Sequence, residues 1–418
     1  MTKEFDVVVF GATGFTGALV ARYLLQAPEK NIKWAMAARS ANKIDAVKHQ
    51  LKEKLPHVAA ETIDAVPVIV ADSSNEAQLV EMAKKTKVVL TVVGPYKLYG
   101  ELLVKVCAEN GVHYCDLTGE IIWIDAMIAK YEEAAKKSGA IIVNCCGFES
   151  VPSDLTTFLL ADSVKSNKNS KTSAVTLAFT KMAGQASGGT LASVFTILET
   201  STSAELKKSR NPFVLTDEKT IAQKNASGLT KANAGSLGIK KEKDLNRWSS
   251  FFIGASVNQA IVHRSNYLLK NLYGDNFVYR ERGALGGLFS QIAMTFGVIV
   301  GGVLLYFSWT RALIKKIAPK PGDGPSEESM KNGMFVAKAV AYDESGKLAA
   351  RATTVGSGDP GYSMTSKVIT ECAICLAKDE LTSSDVKGGF YTAASAFGHN
   401  LAKRLNEKKI MTFDIKTE

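Results

Sequence analysis

A short apolar strand that leads directly into a glycine-rich turn constrains the fold of this chain more than any other feature. Residues 6–10 (Asp-Val-Val-Val-Phe) form a β-branched, apolar run typical of a buried strand, and Gly11-Ala-Thr-Gly-Phe-Thr-Gly17 follows at once. Residues 18–26 then have a helical pattern, which Pro28 ends. This order is typical of a Rossmann unit, whose glycines allow a tight turn and bring the pyrophosphate of a dinucleotide to a helix N-terminus. We therefore predict a dinucleotide site, with a purely structural βα turn as the alternative, formed by Gly11, Thr13, Gly14, Phe15, Thr16 and Gly17.

The residues after the second strand indicate which dinucleotide binds. Residues 32–37 form the next apolar run, and Arg39, Ser40 and Lys43 follow it. A cofactor without a 2′-phosphate usually meets an acidic residue here, because a carboxylate accepts hydrogen bonds from the ribose hydroxyls. A guanidinium, a hydroxyl and an ammonium suit a 2′-phosphate instead. The sequence thus predicts NADPH rather than NADH, with surface charge unrelated to any ligand as the alternative.

Four more strands complete the pattern of a doubly wound sheet. They span residues 67–71, 87–93, 113–116 and 140–144, and helical segments alternate with them. Six alternating strands predict a parallel α/β sheet, so we assign residues 1–155 to a Rossmann dinucleotide-binding domain. Ligands bind at the carboxyl ends of such strands. We therefore expect Asp72, after the third strand, to contact the adenine edge, and the residues after the fourth strand to line the cofactor crevice, namely Gly94, Pro95 and Tyr96.

The second half of the chain has a different pattern and predicts an α+β domain over residues 156–385. Its expected elements are a half-buried strand at 174–180, a helix at 191–200, a surface loop at 203–247, a β-hairpin formed by 335–342 and 347–354, and a helix at 362–377. The hairpin predicts an antiparallel sheet. Residues 187–190, rich in serine and glycine, precede the helix at 191–200. They either bind a phosphate or carboxylate at the helix N-terminus or simply cap the helix. Residues 386–418 are expected to return to the first domain.

An uncharged, apolar run of 28 residues covers positions 283–310. Basic residues flank it on both sides, with Arg280 and Arg282 before it and Arg311, Lys315 and Lys316 after it. As one helix it would exceed the roughly 30 Å of a hydrocarbon core. A simple span would place the hairpin across the membrane from the Rossmann domain, although both look like parts of one fold. We therefore predict a monotopic or re-entrant hydrophobic insertion at an anionic lipid surface, and a buried helix of a soluble protein is the alternative.

The net charge and the cysteine content limit which partners and which cellular compartment fit this chain. The net charge of +10 comes with dispersed lysines and no aromatic-interleaved basic motif, so we expect a phosphate-bearing ligand or a membrane surface and no nucleic acid. The six cysteines follow neither a disulfide framework nor a zinc-ligand spacing, and Cys372 and Cys375 lie in an apolar run typical of a buried helix. We therefore expect reduced thiols, no metal site and a face towards the cytosol. A homodimer stays open as an alternative to a monomer.

Short sequence blocks spread over nearly the whole chain carry a resemblance to a known family. They are residues 11–17, 38–40 (Ala-Arg-Ser), 93–96 (Val-Gly-Pro-Tyr), 114–120 (Tyr-Cys-Asp-Leu-Thr-Gly-Glu), 146–154 (Cys-Gly-Phe-Glu-Ser-Val-Pro-Ser-Asp), 187–190, 262–265, 273–274 and 359–362. In these blocks the chain resembles the saccharopine dehydrogenase-like oxidoreductases, in the branch that includes the trans-acting enoyl reductases of mycobacteria. The block at 388–392 departs from the family pattern, because Ala393 stands where a proline is usual. The resemblance implies a nicotinamide-dependent oxidoreductase.

Together these features lead to an expectation about function. We expect an NADPH-dependent oxidoreductase that acts on a lipid-like or acyl substrate at a membrane or lipid-droplet surface. Two alternatives stay open: a saccharopine-type enzyme of lysine metabolism, which would need a cluster of arginines for its carboxylates, and a non-catalytic lipid-surface protein that retains the fold. The sequence assigns no catalytic residue. A helix cap or a structural hydrogen bond explains each ionisable candidate in the shared blocks equally well, and these candidates are Tyr96, Asp116, Glu120, Asp154 and Tyr362.

Overall fold

Parallel strands with helices on both faces build the first domain of the computed structural model, which describes residues 3–26, 29, 31–184, 188–235, 237–317 and 324–418. Its strands are β1 (Phe5–Phe10), β2 (Trp34–Ala38), β3 (Val68–Val70), β4 (Thr86–Thr91), β5 (His113–Cys115) and β6 (Ile141–Val143). Its helices are α1 (Phe15–Gln26), α2 (Ala41–Lys54), α3 (Ala60–Asp64), α4 (Glu76–Lys85), α5 (Tyr96–Tyr99), α6 (Glu101–Asn110) and α7 (Ile121–Ser138). All six strands predicted from the sequence are present.

The rest of the chain contributes a second sheet with its helices. Its strands are β7 (Thr172–Ala183), β8 (Lys240–Glu242), β9 (Arg247–Phe251), β10 (Val278–Gly283), β11 (Met334–Asp343), β12 (Leu348–Ser357) and β14 (Met411–Thr417), whereas β13 (Gly389–Tyr391) joins the first sheet. Its helices are α8 (Val151–Lys168), α9 (Gly188–Thr200), α10 (Ser203–Lys208), α11 (Glu218–Ala226), α12 (Leu229–Ala232), α13 (Ala255–Leu268), α14 (Leu288–Tyr306), α15 (Ser308–Ile317), α16 (Glu327–Asn332), α17 (Thr365–Ala377) and α18 (Ala393–Glu407). A π-helical turn, Pro360–Met364, leads into α17.

The first sheet has the strand order β13-β6-β5-β4-β1-β2-β3, and its strands are parallel. Alternate side chains of β1 enter two different cores: Val7 and Val9 pack on the side of α1, α2 and α17, whereas Val8 and Phe10 pack on the side of α4, α6 and α7. A strand buried on both faces needs apolar residues at every position, which explains the continuous run in the sequence. The predicted doubly wound parallel fold is confirmed.

The second sheet is mixed, with the order β14-β12-β11-β7-β10-β9-β8. The predicted hairpin is confirmed, because β11 and β12 pair antiparallel with Phe335 opposite Gly356 and Ala341 opposite Ala350. The sheet is not antiparallel throughout, since β7 and β10 run parallel, with Val175 opposite Tyr279. A long connection that contains α13 joins these two strands, and such a crossover lets them run in the same direction.

The surface loop expected at 203–247 was wrong. Within this range the structure has three short helices, α10 to α12, and strand β8. Two of the helices begin at side-chain caps: Thr202 and Glu205 form a capping box, and the Asp217 carboxylate accepts a hydrogen bond from the Thr220 amide. Local caps therefore start these helices in a segment whose polar composition carries no clear hydrophobic period.

The apolar run folds as two helices and stays on the surface. Helix α14 ends where Phe307 takes an extended conformation, and the shorter α15 follows. By length and composition α14 could cross a membrane, and only 6% of its 18-residue apolar window is buried. The residues Phe289, Phe296 and Tyr306 are 85%, 68% and 79% exposed. Helix α14 is thus no core helix of this chain.

The last part of the chain is divided between the two sheets: β14 pairs with β12 in the second sheet and α18 packs on α8, whereas β13 and α17 pack against the first domain. Strand β13 pairs with β6, so that Phe390 lies opposite Ile142 at the edge of the first sheet. Helix α17 packs against α1 and β4 and carries Cys372 and Cys375. All six cysteines are buried and unpaired, so the reduced thiols and the buried cysteine pair on a helix agree with the sequence-based expectation.

Candidate functional site

Two glycines of the turn between β1 and α1 are required by the protein itself. Gly11 has a φ of +93°, and a Cβ there would lie 2.7 Å from Cγ2 of Val93. At Gly17 a Cβ would lie 2.2 Å from the carbonyl oxygen of Gly11 and 2.8 Å from Cα of Ala12. The first glycine therefore permits the tight turn, and the third lets helix α1 pack closely against the end of β1.

Gly14 has a different explanation. A Cβ at this exposed position would have only one neighbour, the Gly11 carbonyl oxygen at 3.4 Å, and the φ of Gly14 is ordinary. Nothing in the protein itself requires glycine there. A missing side chain does leave room for a ligand in front of the first turn of α1, which begins at Phe15 with Thr13 and Thr16 half-buried beside it. The turn thus fits a dinucleotide whose pyrophosphate approaches the backbone.

Two exposed cations follow β2 at the side of the sheet where the adenosine half of a dinucleotide lies. Arg39 and Lys43 are exposed, whereas the Ser40 hydroxyl caps α2 by accepting a hydrogen bond from the Lys43 amide at 3.4 Å. Asp72 accepts hydrogen bonds from the amide and the hydroxyl of Ser74 at 2.9 and 2.7 Å. These bonds, with a smaller effect of Arg39, lower the pKa of Asp72. Arg39 and Asp72 thus lie near each other at the ends of neighbouring strands.

The residues after β4 form a rigid corner. The Gly94–Pro95 peptide bond is cis. The buried hydroxyl of Tyr96 donates to the Thr91 carbonyl at 3.3 Å and accepts from the Leu117 amide at 3.0 Å. Burial raises the pKa of Tyr96 well above its usual value, so this hydroxyl stays protonated. Its two hydrogen bonds give Tyr96 a structural role.

Glu120, another of the ionisable candidates, holds the same corner from the end of β5. Its carboxylate accepts hydrogen bonds from the amides of Tyr96 and Lys97 at 2.9 and 2.8 Å and from the Ser193 hydroxyl at 2.6 Å. It therefore caps α5 and ties α9 of the second domain to the Rossmann sheet.

Two buried aspartates among the candidates also serve the fold. Asp116 accepts from the Tyr114 hydroxyl, the Asn144 amide group and the backbone amides of Thr118 and Cys145, at 2.8 to 3.1 Å. Burial raises the pKa of Asp116 to about 6.

Asp154 accepts from the Ser265 hydroxyl at 2.5 Å and from the Ala394 amide at 2.8 Å, which joins α8, α13 and α18. Burial raises its pKa to about 6 as well. Carboxylates with this many donors are fixed elements of the structure.

Tyr362 is the candidate that contacts the glycine turn. Its ring meets the ring of Phe15 edge-on, with centroids 4.9 Å apart. Its hydroxyl accepts a hydrogen bond from the Gly188 amide at the start of α9, at 3.1 Å. Ser187 and the Thr190 side chain lie outside the described residues, so the predicted anion site at 187–190 has no structural description. Phe15 and Tyr362 thus join the cofactor turn to the second domain.

The structure adds one acidic residue that the sequence reasoning did not select, Glu149. It follows β6, and its Oε1 is buried without a hydrogen-bond partner among the described residues. Burial raises the pKa of Glu149 to about 8, although its own amide and that of Gly147 act in the opposite direction. The feature of the sequence that could have identified Glu149 is its position just after the carboxyl end of a parallel strand, where ligands bind.

Comparison with known proteins identifies the family. A family model described as the saccharopine dehydrogenase NADP binding domain matches residues 7–143. The chain is 32% identical to the trans-acting enoyl reductase of Mycobacterium ulcerans (strain Agy99) over 424 residues, which are 98% of this chain and 97% of that protein. It is also 32% identical over 419 residues to the trans-acting enoyl reductase of Mycobacterium tuberculosis (strain ATCC 25618 / H37Rv), with 96% of each chain covered.

Solved structures agree with this fold at low sequence identity. Apo saccharopine dehydrogenase (L-Glu forming) from Saccharomyces cerevisiae superposes with a TM-score of 0.50 and 13% identity, covering 99% of this chain and 100% of that one. Homospermidine synthase from Legionella pneumophila in complex with NAD gives a TM-score of 0.51 and 9% identity, covering 99% of this chain and 92% of that one. These likenesses concern the fold alone. With the glycine turn, the sheet and the full-length relatives taken together, the chain belongs to the saccharopine dehydrogenase-like family and is a nicotinamide dinucleotide-dependent oxidoreductase related to the trans-acting enoyl reductases.

Proposed function

We propose that this protein is an NADPH-dependent oxidoreductase that acts on a lipid-like or acyl substrate at a membrane or lipid-droplet surface. The observation that carries the proposal is the exposed apolar helix α14, whose partner α15 is linked through α9 to the cofactor crevice. The names of the relatives favour an acyl chain with a carbon–carbon double bond next to a carbonyl.

The preference for NADPH rests on the charges after β2. Arg39 and Lys43 are exposed cations, and the nearby Asp72 carboxylate is engaged by Ser74. A guanidinium can bind a 2′-phosphate with two parallel hydrogen bonds. The family model that matches residues 7–143 also carries NADP in its description.

The membrane setting rests on the energetics of α14. Burial of one large apolar side chain stabilises by about 1.5–3 kcal/mol, and α14 leaves several in water, including Phe289, Phe296 and Val303. At about 1.5 Å per residue the helix is about 28 Å long, whereas α15 is about 15 Å long and too short to cross a hydrocarbon core again. The Lys315 ammonium binds the Glu199 carboxylate at 2.7 Å, which anchors α15 to the second domain. This geometry favours insertion from one face.

Helix α9 connects the apolar helices α14 and α15 with the cofactor crevice. Its first residue, Gly188, donates to the Tyr362 hydroxyl, and its Ser193 donates to Glu120. At the other end, Lys315 of α15 lies 5.4 Å from the ring centroid of Phe195 as well as against Glu199. An apolar helix between the lipid surface and the crevice favours an apolar substrate.

The residues of the site have distinct tasks in this proposal. The bound dinucleotide supplies the hydride. The glycine turn receives its pyrophosphate, and Arg39 neutralises the 2′-phosphate. Phe15 and Tyr362 close the side of the crevice towards the second domain and exclude water from it.

The saccharopine-type alternative would need free arginines near the crevice for a substrate with several carboxylates. The three arginines buried within the described residues are engaged by the protein itself. Arg264 donates to the Leu215 and Phe390 carbonyls, Arg282 donates to Ser249, and Arg404 binds Glu371. This pattern favours the acyl substrate.

Lipid binding is tested by flotation with anionic phospholipid vesicles and with phospholipid-coated triacylglycerol droplets. We expect the protein to float with lipid. The triple variant Phe296→Ser, Val303→Ser, Tyr306→Ser should remain in the soluble fraction and still bind NADPH, because the glycine turn lies in the other domain. The matched control is Val68→Ser with Val70→Ser, which changes exposed apolar residues on the edge strand β3. Unmodified protein that stays soluble with both lipids would refute the lipid setting.

The substrate class is tested by the consumption of NADPH. Purified protein is supplied with a medium-chain trans-2-enoyl thioester, or with no substrate, and with saccharopine and NADP+ in a separate reaction. Oxidation of NADPH by the thioester supports the proposal. Turnover of saccharopine alone would establish the amino-acid alternative, and inactivity in all reactions would favour a non-catalytic role.

A further inference from the structure

The carboxyl group of Glu149 occupies a place that a glycine keeps open. It folds back over Gly147, where a Cβ would lie 2.6 Å from Oε2 and 2.9 Å from Oε1 of Glu149. The same Cβ would lie 2.9 Å from Cδ2 of Leu117. The φ of Gly147 is outside the left-handed region, so backbone conformation does not require a glycine. The space that Gly147 leaves is the space that the carboxyl group fills.

This carboxyl group lies at the end of the sheet where the nicotinamide half of a dinucleotide is expected. The glycine turn follows β1, and the cations for the adenosine phosphate follow β2 on one side. A dinucleotide crosses the point at which the strand order reverses, so its other half extends over the ends of β4, β5 and β6. Tyr96, Leu117 and Gly147 follow those three strands, and Glu149 lies among them.

Glu149 differs from the other acidic groups at this edge in having an unused oxygen. Asp116 accepts hydrogen bonds from four donors and Glu120 from three. Oε1 of Glu149 has no hydrogen-bond partner within the described residues. Buried polar atoms normally have a partner, and an exception at a ligand crevice indicates a group that the ligand completes.

We propose that Glu149 lies against the nicotinamide and is the proton donor of the reaction. This inference rests on the proposed function. In the reduction of an enoyl thioester, a bound reduced dinucleotide would supply the hydride that forms the new C–H bond at the β-carbon, and the electron pair of the carbon–carbon double bond would move to the α-carbon. The O–H bond of the Glu149 carboxyl then breaks, its proton forms the new C–H bond at the α-carbon, and the carboxylate regains a proton from water.

The protonation state of Glu149 suits this role. With a pKa of about 8 it is mostly protonated at neutral pH. The titratable groups that face it are Asp116, Tyr96, Cys145 and Cys146. The pKa of each of the last three is raised well above its ordinary value, so these groups stay neutral, whereas the Asp116 charge helps to keep Glu149 protonated.

Proton release on cofactor binding tests the contact without any substrate. The oxidised nicotinamide ring is a cation and the reduced ring is neutral, so only NADP+ should lower the pKa of a neighbouring carboxyl group. Calorimetric titrations in buffers of different ionisation enthalpy count the released protons. At neutral pH we expect the unmodified protein to release a large fraction of one proton with NADP+ and almost none with NADPH. Glu149→Gln should abolish this release, and Glu133→Gln, at a residue 87% exposed on α7, should retain it.

The pH dependence of proton release by the unmodified protein is a second test of the contact between Glu149 and the nicotinamide. At a pH about two units above the pKa of Glu149, the carboxyl group is already ionised, so NADP+ binding should release no proton from it. Equal release by Glu149→Gln and the unmodified protein, or release that is the same for both cofactors, would overturn the proposal. Failure of the unmodified protein to bind either cofactor would refute the proposed function itself. In turnover of the enoyl thioester, Glu149→Gln should lower kcat by about 10²- to 10⁴-fold with an unchanged KM for NADPH. An unchanged kcat would contradict proton donation.

Discussion

Replacement of Gly17 by alanine is the most direct test of the glycine turn. The new Cβ would lie 2.2 Å from the Gly11 carbonyl oxygen, whereas non-bonded atoms in contact stay about 3.5 Å apart. The obstacles are backbone atoms of Gly11 and Ala12, so no side-chain rotation relieves the clash. Either the start of α1 or the turn must move by roughly 1 Å.

The cost follows from the bonds that such a movement strains. The amides of Gly11 and Ala12 donate to the Ala37 carbonyl at 2.9 and 3.2 Å, and the Gly14 amide donates to the Gly11 carbonyl at 3.0 Å. Overpacking of a filled site costs about 1–3 kcal/mol, and weakening a hydrogen bond adds about 1 kcal/mol. We therefore expect Gly17→Ala to lower the free energy of unfolding by about 2–4 kcal/mol.

Gly14→Ala is the matched control, because its Cβ would meet only the Gly11 oxygen at an ordinary 3.4 Å. This variant should keep the stability of the parent and lose affinity for NADPH, since the methyl group enters the space of the pyrophosphate. Urea unfolding followed by far-ultraviolet circular dichroism gives the stability, and calorimetry gives the affinity. If Gly17→Ala proved as stable as Gly14→Ala, the steric reasoning would be wrong.

Three further predictions concern charged groups. Arg39→Asp should weaken NADPH binding by about 1–3 kcal/mol and reverse or abolish the preference for NADPH over NADH. Equal affinity of the unmodified protein for NADPH and NADH would refute the predicted preference for NADPH. Because burial raises the pKa of Glu149 to about 8, above its unfolded value of about 4.3, stability should fall by about 1.4 kcal/mol per pH unit as pH rises between these values. Urea midpoints across this range should show that Glu149→Gln lacks this part of the slope. Arg404→Ala should cost about 3–5 kcal/mol in urea unfolding, because it leaves the buried Glu371 without the guanidinium that contacts it at 2.8 Å, and a loss below about 1 kcal/mol would contradict this.

The first domain could be derived almost entirely from the sequence. The β1 strand, the glycine turn and α1 are contiguous, and their conformation depends on sterics and hydrogen bonds within a few residues. Continuous apolar runs likewise identified the parallel strands, because the strands inside the sheet are buried on both faces, although the edge strand β3 leaves Val68 and Val70 exposed. The apolar character of α14 could be read from the sequence for the same reason, since length and composition are local properties, whereas its exposure was shown only by the structure.

Tertiary structure alone decided which distant segments meet. Strand β13 pairs with β6 although almost 250 residues of chain lie between them, and β10 pairs parallel with β7. The roles of the acidic residues depend on the same long-range contacts. Asp154 of α8 accepts hydrogen bonds from α13 and α18, and Glu120 accepts hydrogen bonds from α5 and α9. The unpartnered oxygen of Glu149 became visible only when the ends of β4, β5 and β6 were placed together. A side chain's burial and its hydrogen-bond partners are set by what the rest of the chain places around it, and no local pattern of residues specifies that.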